Sequence, residues 1–161
     1  MADLKAQSVA SLLGLHVEIL DELRAREILR SANNPTGDYA EYLCCRAFGW
    51  EQMANSAKAY DALADGVRYQ IKGRRLHDRN RSRQLSAIRD LSGFDFLAGV
   101  LFDHQYGVER AALVPADIVR RWATSVSYTN SYRLLLRDEI WSEASVTDIT
   151  DDLREAQIAI G

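Results

Sequence analysis

The sequence is poor in the residues that stabilise secreted proteins and in the apolar runs that span membranes. It contains only two cysteines. Because Cys44 and Cys45 are adjacent, we expect neither an intramolecular disulfide nor a zinc site of spaced cysteines. No apolar run approaches the roughly 18 residues that cross a bilayer, and no charged and then apolar leader opens the chain. We therefore expect a cytoplasmic protein without a membrane partner.

Excess charge of either sign is also lacking. The net charge of −3 gives no general attraction to nucleic acid, so a polyanion site would have to arise where some of the 20 lysine and arginine residues cluster. Proline is scarce, and there is no internal repeat or low-complexity segment. With 47% hydrophobic and 27% charged residues, the composition predicts one globular domain over residues 1–161.

Two helices are predicted at the start of the chain. Apolar residues recur at steps of three and four from about Lys5 to Arg30, which is typical of a long amphipathic helix. Its apolar stripe has to pack on the domain or pair with a second copy in a dimer. After a breaker cluster, Asn34-Pro35 or Thr36 can cap a second helix from Asp38 to about Phe48. Glu41 lies at the edge of the buried stripe of that helix, where its carboxylate can stay accessible.

A β-hairpin is predicted next. After a loop from Gly49 to about Lys58, residues 60–63 and 67–72 have the composition of two strands, and the Asp65-Gly66 pair between them is a strong hairpin signal. A two-residue turn fixes the register, because each residue before the turn then has one defined partner after it.

This register brings polar side chains together. It sets Asp61 opposite Gln70, and alternation places Asp61, Gln70 and Lys72 on one face of the hairpin. Directly opposed side chains lie about 5 Å apart at Cβ, which is costly for polar groups unless something binds there. A hydrated Mg²⁺ ion held by Asp61, Gln70 and Glu41 would satisfy them, and Lys72 could orient a nucleophile or offset charge in a transition state.

The rest of the chain predicts a sheet with helices. The almost wholly apolar segment from Phe94 to Phe102 indicates a central strand covered on both faces. The other predicted elements are a helix from Ser82 to Leu91, a strand from Val108 to Val114, a short helix from Pro115 to Trp122, an edge strand from Tyr132 to Leu136, and a closing helix from Asp151 to Ile158 capped by Thr150 or Asp151. The fold class is therefore α/β or α+β, with a central mixed sheet flanked by helices.

The polar cluster resembles a known nuclease family. Asp61 and Gln70-Ile71-Lys72, preceded by Glu41 on a helix, are similar to the site of the PD-(D/E)xK superfamily, whose members have a restriction-endonuclease-like fold. Glutamine at the second acidic position is typical of its Mrr-like branch. The likeness covers about Asn34 to Val114, including the family's helix-hairpin-helix-strand order, and also extends to uncharacterised bacterial proteins of that fold.

The resemblance implies a function for each residue. Glu41 would be the helix carboxylate, Asp61 the strand aspartate, Gln70 the variable acidic position and Lys72 the catalytic lysine. The cofactor would be Mg²⁺ or Mn²⁺, bound by Asp61, Gln70 and Glu41, and the substrate would be DNA. Gln70 departs from the commonest pattern because it is neutral, which removes one negative charge from the metal site.

A basic segment follows Lys72 directly. Arginine is well suited to paired contacts with phosphate, so this segment is predicted to hold a nucleic-acid backbone beside the metal. Such contacts fix position and carry no sequence information. His77, in the same segment, is a further candidate for phosphate contact or general-base catalysis. The predicted DNA-binding residues are Arg74, Arg75, Arg79, Arg81 and Arg83.

These features divide the single domain into three parts. Residues 1–32 form the N-terminal helix, a candidate for homodimerisation, residues 34–122 the nuclease-like core, and residues 123–161 a C-terminal extension. The leading hypothesis is a metal-dependent deoxyribonuclease of restriction or repair type. Two alternatives use the same fold: a catalytically inactive DNA-binding module, and a structural or regulatory protein that associates through its N-terminal helix.

Overall fold

A computed structural model describes residues 3–54 and 59–161, and this part of the protein is built around a mixed six-stranded β-sheet. The α-helices are α1 (Val9–Ala25), α2 (Pro35–Phe48), α3 (Ala116–Trp122) and α4 (Thr150–Ile160). The strands are β1 (Glu51–Gln52), β2 (Ala62–Ala64), β3 (Val67–Arg75), β4 (Phe96–Phe102), β5 (Val108–Pro115), β6 (Thr124–Val126), β7 (Ser131–Arg133) and β8 (Thr147–Asp148).

The large sheet has the strand order β1-β2-β3-β4-β5-β8, and β6 and β7 form a separate ribbon. Strands β3 and β4 are parallel, whereas the other neighbours in the large sheet are antiparallel. The predicted α+β architecture, a mixed sheet flanked by helices, is confirmed. Strand β4 is central, and it is buried from Leu97 to Phe102, as its continuous apolar sequence predicts.

The hairpin of β2 and β3 has the predicted register. Ala64 pairs with Val67 and Ala62 with Tyr69. The turn residues Asp65 and Gly66 have φ angles of 50° and 77°, the left-handed conformations that a two-residue hairpin turn requires. Asp-Gly meets this requirement at low cost, so the turn chemistry determines the register.

Each face of the sheet has its own apolar core. Helices α2 and α4 cover one face, and the residues that form this core include Leu43, Ile71, Phe102 and Leu153. Helix α3 covers the other face together with two segments that are not helical, and Leu85, Leu97, Val119 and Leu136 belong to this second core. The C-terminal extension therefore contributes apolar side chains to both cores.

The helix predicted from Ser82 to Leu91 is wrong. Leu85 and Ile88 are buried as their spacing suggests, but their backbone N–H groups donate to the carbonyls of Leu134 and Tyr132, each at 2.9 Å. Two apolar residues three positions apart can be buried by one turn of a helix, but also by an extended segment that pairs with a distant part of the chain. The crossover between the parallel strands β3 and β4 thus lacks the helix expected from the helix-hairpin-helix-strand order.

The N-terminal helix is shorter than predicted and is largely separate from the cores. Helix α1 has 17 residues, Val9–Ala25, and none of them is buried. Several of its apolar side chains face solvent in the single chain, with Val9 76% and Leu13 63% exposed. The apolar stripe is therefore not explained by packing within the described part of the chain.

Smaller differences concern loops and helix ends. The predicted loop from Gly49 to Lys58 contains strand β1, and its residues 55–58 lie outside the described part of the chain. Thr150 is the first residue of α4 and does not cap it; its backbone N–H donates to Oδ1 of Asp148 at 3.0 Å. None of the described helices combines the length and the hydropathy of a transmembrane span.

Candidate functional site

The site lies where β3 continues beyond the end of β2. The last strand pair there joins Ala62 to Tyr69, so β3 has an open edge from Ile71 onward. Asp61 occupies this edge, where its Oδ2 accepts hydrogen bonds from the backbone N–H of Ile71 and from Nε2 of Gln70, both at 2.7 Å. The carbonyl of Ile71 points to the same edge as its N–H, as it does in any antiparallel strand.

A close contact between α2 and β3 brings Glu41 to this edge. A Cβ atom at Gly73 would lie 2.9 Å from Cβ of Ala40 and 3.1 Å from the carbonyl oxygen of Thr36, so the contact requires glycine. Glu41 follows Ala40 on α2, and its Oε2 accepts a hydrogen bond from Nε2 of Gln52 at 3.1 Å. Gly73 and Gln52 therefore position the helix carboxylate.

The two carboxylates destabilise each other's charge. Burial raises the pKa of Glu41 to about 7, and repulsion from Asp61 adds to the effect. Burial also raises the pKa of Asp61, although the Ile71 N–H, Lys72 and the Gln70 amide oppose the change. The groups that oppose the shift differ, because Glu41 has Gln52 and Arg30 in that role. A cation between the two groups would relieve both penalties.

Lys72 supplies a nearby cation that no carboxylate neutralises directly. Burial lowers the pKa of its ammonium group, whereas attraction to Asp61 and Glu41 raises it. Its Nζ donates to the carbonyl of Ala87 at 3.1 Å, and within the described residues it forms no ion pair. Arg89 is close enough to lower the pKa of Lys72 further.

One cavity collects all four predicted site residues. Its volume is about 730 Å³, and Glu41, Asp61, Gln70 and Lys72 all contribute to its wall. The N-terminal turn of α2 and His77 line it as well. The polar cluster is thus open to a ligand, and solvent and a substrate can reach the carboxylates.

The five predicted arginines separate into two groups. Arg74 and Arg75 line the cavity, where they are oriented by hydrogen bonds to the carbonyls of Ser82 at 3.1 Å and His104 at 2.7 Å. The others lie outside it, because Arg81 pairs with Glu109, Arg83 pairs with Asp138, and Arg79 projects into solvent. Of the five, Arg74 and Arg75 therefore share the cavity with the carboxylates.

The donor set fits a hard cation such as Mg²⁺. In residues 3–54 and 59–161 there is no group of three or more His, Cys, Asp or Glu side chains arranged to hold a metal. The available donors are instead two carboxylates, the Ile71 carbonyl and the amide oxygen of Gln70, which suits an ion that keeps several waters. Gln70 now turns its amide nitrogen to Asp61, so binding through its oxygen requires the amide to rotate.

Three residues of the site were not identified from the sequence. Gln52 and Arg89 approach the cavity from a separate strand and from the crossover, and no local motif marks them. Gly73 does have a signal, because an isolated glycine inside a strand often indicates close approach of another backbone.

Comparisons with known proteins add no family to this description. No protein-family model matches the chain, and a search of curated proteins finds no match.

Proposed function

We propose that the protein is a metal-dependent deoxyribonuclease of restriction or repair type, related to the PD-(D/E)xK nucleases. The observation that supports this most strongly is the cavity at the open edge of β3. Its wall combines two desolvated, mutually repelling carboxylates, Asp61 and Glu41, with the ammonium group of Lys72. Such a site is unfavourable until it binds a cation and a phosphate together.

The chain's own residues have separate tasks in phosphodiester hydrolysis. Bound Mg²⁺ or Mn²⁺ would polarise the phosphate and lower the pKa of a coordinated water. Asp61, fixed by the Ile71 N–H, and Glu41, fixed by Gln52, would hold the cation. Lys72 orients the attacking water and offsets the negative charge that grows on the phosphate oxygens as the water oxygen bonds to phosphorus and the bridging oxygen departs.

DNA is the substrate that the surroundings of the cavity favour. Arg74 and Arg75 line the same cavity as the carboxylates, and the planar guanidinium group of arginine pairs well with phosphate oxygens. Arg74 uses Nε for the Ser82 carbonyl, and within the described residues its terminal nitrogens have no partner. These two arginines would hold the DNA backbone at the wall of the cavity.

A DNA-binding module without cleavage is the second candidate, and Gln70 favours it. The neutral amide leaves the site one negative charge short of the commonest nuclease pattern, and its nitrogen already donates to Asp61. In this case the arginines bind DNA and no bond is broken.

Plasmid cleavage distinguishes the two candidates. Supercoiled plasmid is incubated with the protein in Mg²⁺ or Mn²⁺, alongside Asp61→Asn and Lys72→Met and two matched controls, Asp117→Asn on α3 and Lys5→Met near the N-terminus. A nuclease nicks the plasmid, loses this activity in both site variants and keeps it in both controls. Salt-sensitive retention of DNA without nicking supports the binding module, and equal nicking by all the variants contradicts the assigned site.

We also propose a cytoplasmic homodimer in which a second copy covers α1. An isolated helix of this length is marginal in water, and all of α1 lies outside the cores. A second apolar surface, a cavity of about 510 Å³ lined by residues such as Leu23, Tyr39 and Ile160, adjoins its C-terminal end. Antiparallel pairing of two α1 helices would lay the exposed first half of each beside this cavity of the other copy.

A further inference from the structure

A β-ribbon near the cavity carries an exposed aromatic side chain at its tip. Strands β6 and β7 pair with Thr124 opposite Arg133 and Val126 opposite Ser131, and the 3-10 helix Ser127–Thr129 joins them. Tyr128 in this connection is 98% exposed, more than any other large hydrophobic residue in the described part of the chain. A tyrosine ring exposed in this way is available to stack on a flat partner.

Local hydrogen bonds fix the conformation of the tip. Asn130 ends the 3-10 helix in a left-handed conformation with φ of 47°, and its N–H donates to the carbonyl of Ser127 at 3.2 Å. The hydroxyl groups of Thr129 and Ser131 are 2.6 Å apart and hydrogen-bonded. The backbone that carries Tyr128 is thus ordered before a partner binds, which reduces the entropy lost on binding.

The ribbon is joined to the wall of the nuclease-like cavity. Ile88 and Tyr132 exchange backbone hydrogen bonds of 2.9 and 2.8 Å. Ala87, which precedes Ile88, accepts the hydrogen bond from Nζ of Lys72. The middle of the ribbon therefore pairs with the residue that follows the carbonyl holding the ammonium group.

Two arginines without an acidic partner among the described residues lie where the two segments pair, whereas Arg81 and Arg83 in the first segment are paired with Glu109 and Asp138. Neither residues 79–89 nor residues 122–137 contain an aspartate or a glutamate, in a chain whose net charge is −3. Arg89 and Arg133 lie one residue from the Ile88 pairing with Tyr132, and both are exposed. Within residues 3–54 and 59–161, neither guanidinium group makes a hydrogen bond or an ion pair.

We propose that this ribbon binds a single-stranded stretch of DNA beside the cavity, with Tyr128 stacked on a base and with Arg89 and Arg133 on backbone phosphates. A single strand is required because a duplex hides the base faces that an aromatic ring stacks on. The identification of the polyanion as DNA rests on the proposed nuclease function. The ribbon adds to that function a preference for single-stranded DNA.

Fluorescence anisotropy with labelled 20-nucleotide probes tests this inference. The probes are single-stranded oligothymidine and a blunt duplex, and EDTA keeps them intact. We expect Tyr128→Ala to weaken single-strand binding about tenfold, the usual size for loss of one stacked base, and Tyr128→Phe to bind normally. Removing the exposed Ile158 side chain of α4 by Ile158→Ala should have no effect. Arg133→Met should reduce the dependence of log K on log salt by about one.

The outcomes separate this inference from the proposed activity. If Tyr128→Ala binds the single strand as tightly as the wild type, or loses affinity equally for the duplex, stacking by the ribbon is refuted even when plasmid cleavage depends on Asp61 and Lys72. If Tyr128→Ala loses single-strand binding selectively and the wild type never cleaves, the ribbon inference stands and the nuclease does not. A wild type that binds neither probe in EDTA refutes the ribbon inference, and plasmid cleavage in Mg²⁺ then decides the nuclease function separately.

Discussion

Removal of the Glu41 carboxylate should change how the stability of the protein depends on pH. In the fold the pKa of Glu41 rises from 4.5 to about 7. The folded protein therefore keeps a proton that the unfolded chain has lost, and increasing the pH across this window favours unfolding. The full shift corresponds to about 3 kcal/mol, and because part of the carboxylate faces solvent, screening reduces it to about 1–2 kcal/mol.

Urea denaturation at constant ionic strength measures this effect. In EDTA, wild type should lose about 1–2 kcal/mol of unfolding free energy relative to Glu41→Gln between pH 5 and pH 7.5. The control Glu155→Gln, on the exposed side of α4, should follow the wild type at every pH. Mg²⁺ at pH 7.5 should then stabilise the wild type more than Glu41→Gln, because a ligand of the folded state adds to its stability. A constant separation between wild type and Glu41→Gln across the window would refute the electrostatic description of the site.

Three further variants test the contact between α2 and β3, the cation site and the dimer interface. Gly73→Ala should destabilise the fold by about 1–3 kcal/mol in thermal or urea unfolding, because the added methyl group meets α2. The control Gly37→Ala has open space around it and should be neutral or stabilising. Equal effects of the two substitutions would contradict the close contact between α2 and β3. Gln70→Glu should tighten Mg²⁺ binding about tenfold in calorimetry, or by about 1.4 kcal/mol, and lower stability without metal, whereas weaker binding would exclude position 70 from the cation site. Leu13→Glu on the exposed stripe of α1 should convert the dimer to a monomer in light scattering without changing thermal unfolding of the core, and an unchanged mass would show that α1 is not the interface.

The hairpin and its polar residues were predictable because they depend on local chemistry. The Asp65-Gly66 turn permits one register, and strand alternation then places side chains without further information. The same holds for β4, whose apolar sequence requires cover on both faces. Asp61 and Gln70 consequently lie together as predicted, with the Gln70 amide donating to the carboxylate.

The crossover from β3 to β4 could not be predicted in this way. Leu85 and Ile88 are three residues apart, which suits a helix, but their backbone groups pair with residues of the C-terminal extension. Such a pairing partner lies far along the sequence and leaves no local signal, so tertiary contacts override the apolar spacing. The same long-range pairing brings Arg89 close to Lys72, so the sequence alone did not place Arg89 beside the site.

Long-range contacts also limited the prediction of a basic surface from the arginines. Their sequence predicts one basic surface, but Arg81 and Arg83 pair with Glu109 and Asp138, which come from β5 and from a later segment of the chain. Charge density in the sequence therefore overstates the charge available to DNA. The arginines that line the cavity, Arg74 and Arg75, belong to β3 itself, where strand geometry determines their place.

We propose that Asp61 and Glu41 share a divalent cation at the open edge of β3. Anomalous diffraction from crystals soaked in Mn²⁺ tests it most directly, because the ion's position is observed independently of any activity. We predict a peak in direct contact with both carboxylates, absent from Asp61→Asn crystals treated in the same way. A fully soaked crystal with no peak in this cavity, or with its Mn²⁺ bound elsewhere, would contradict the claim.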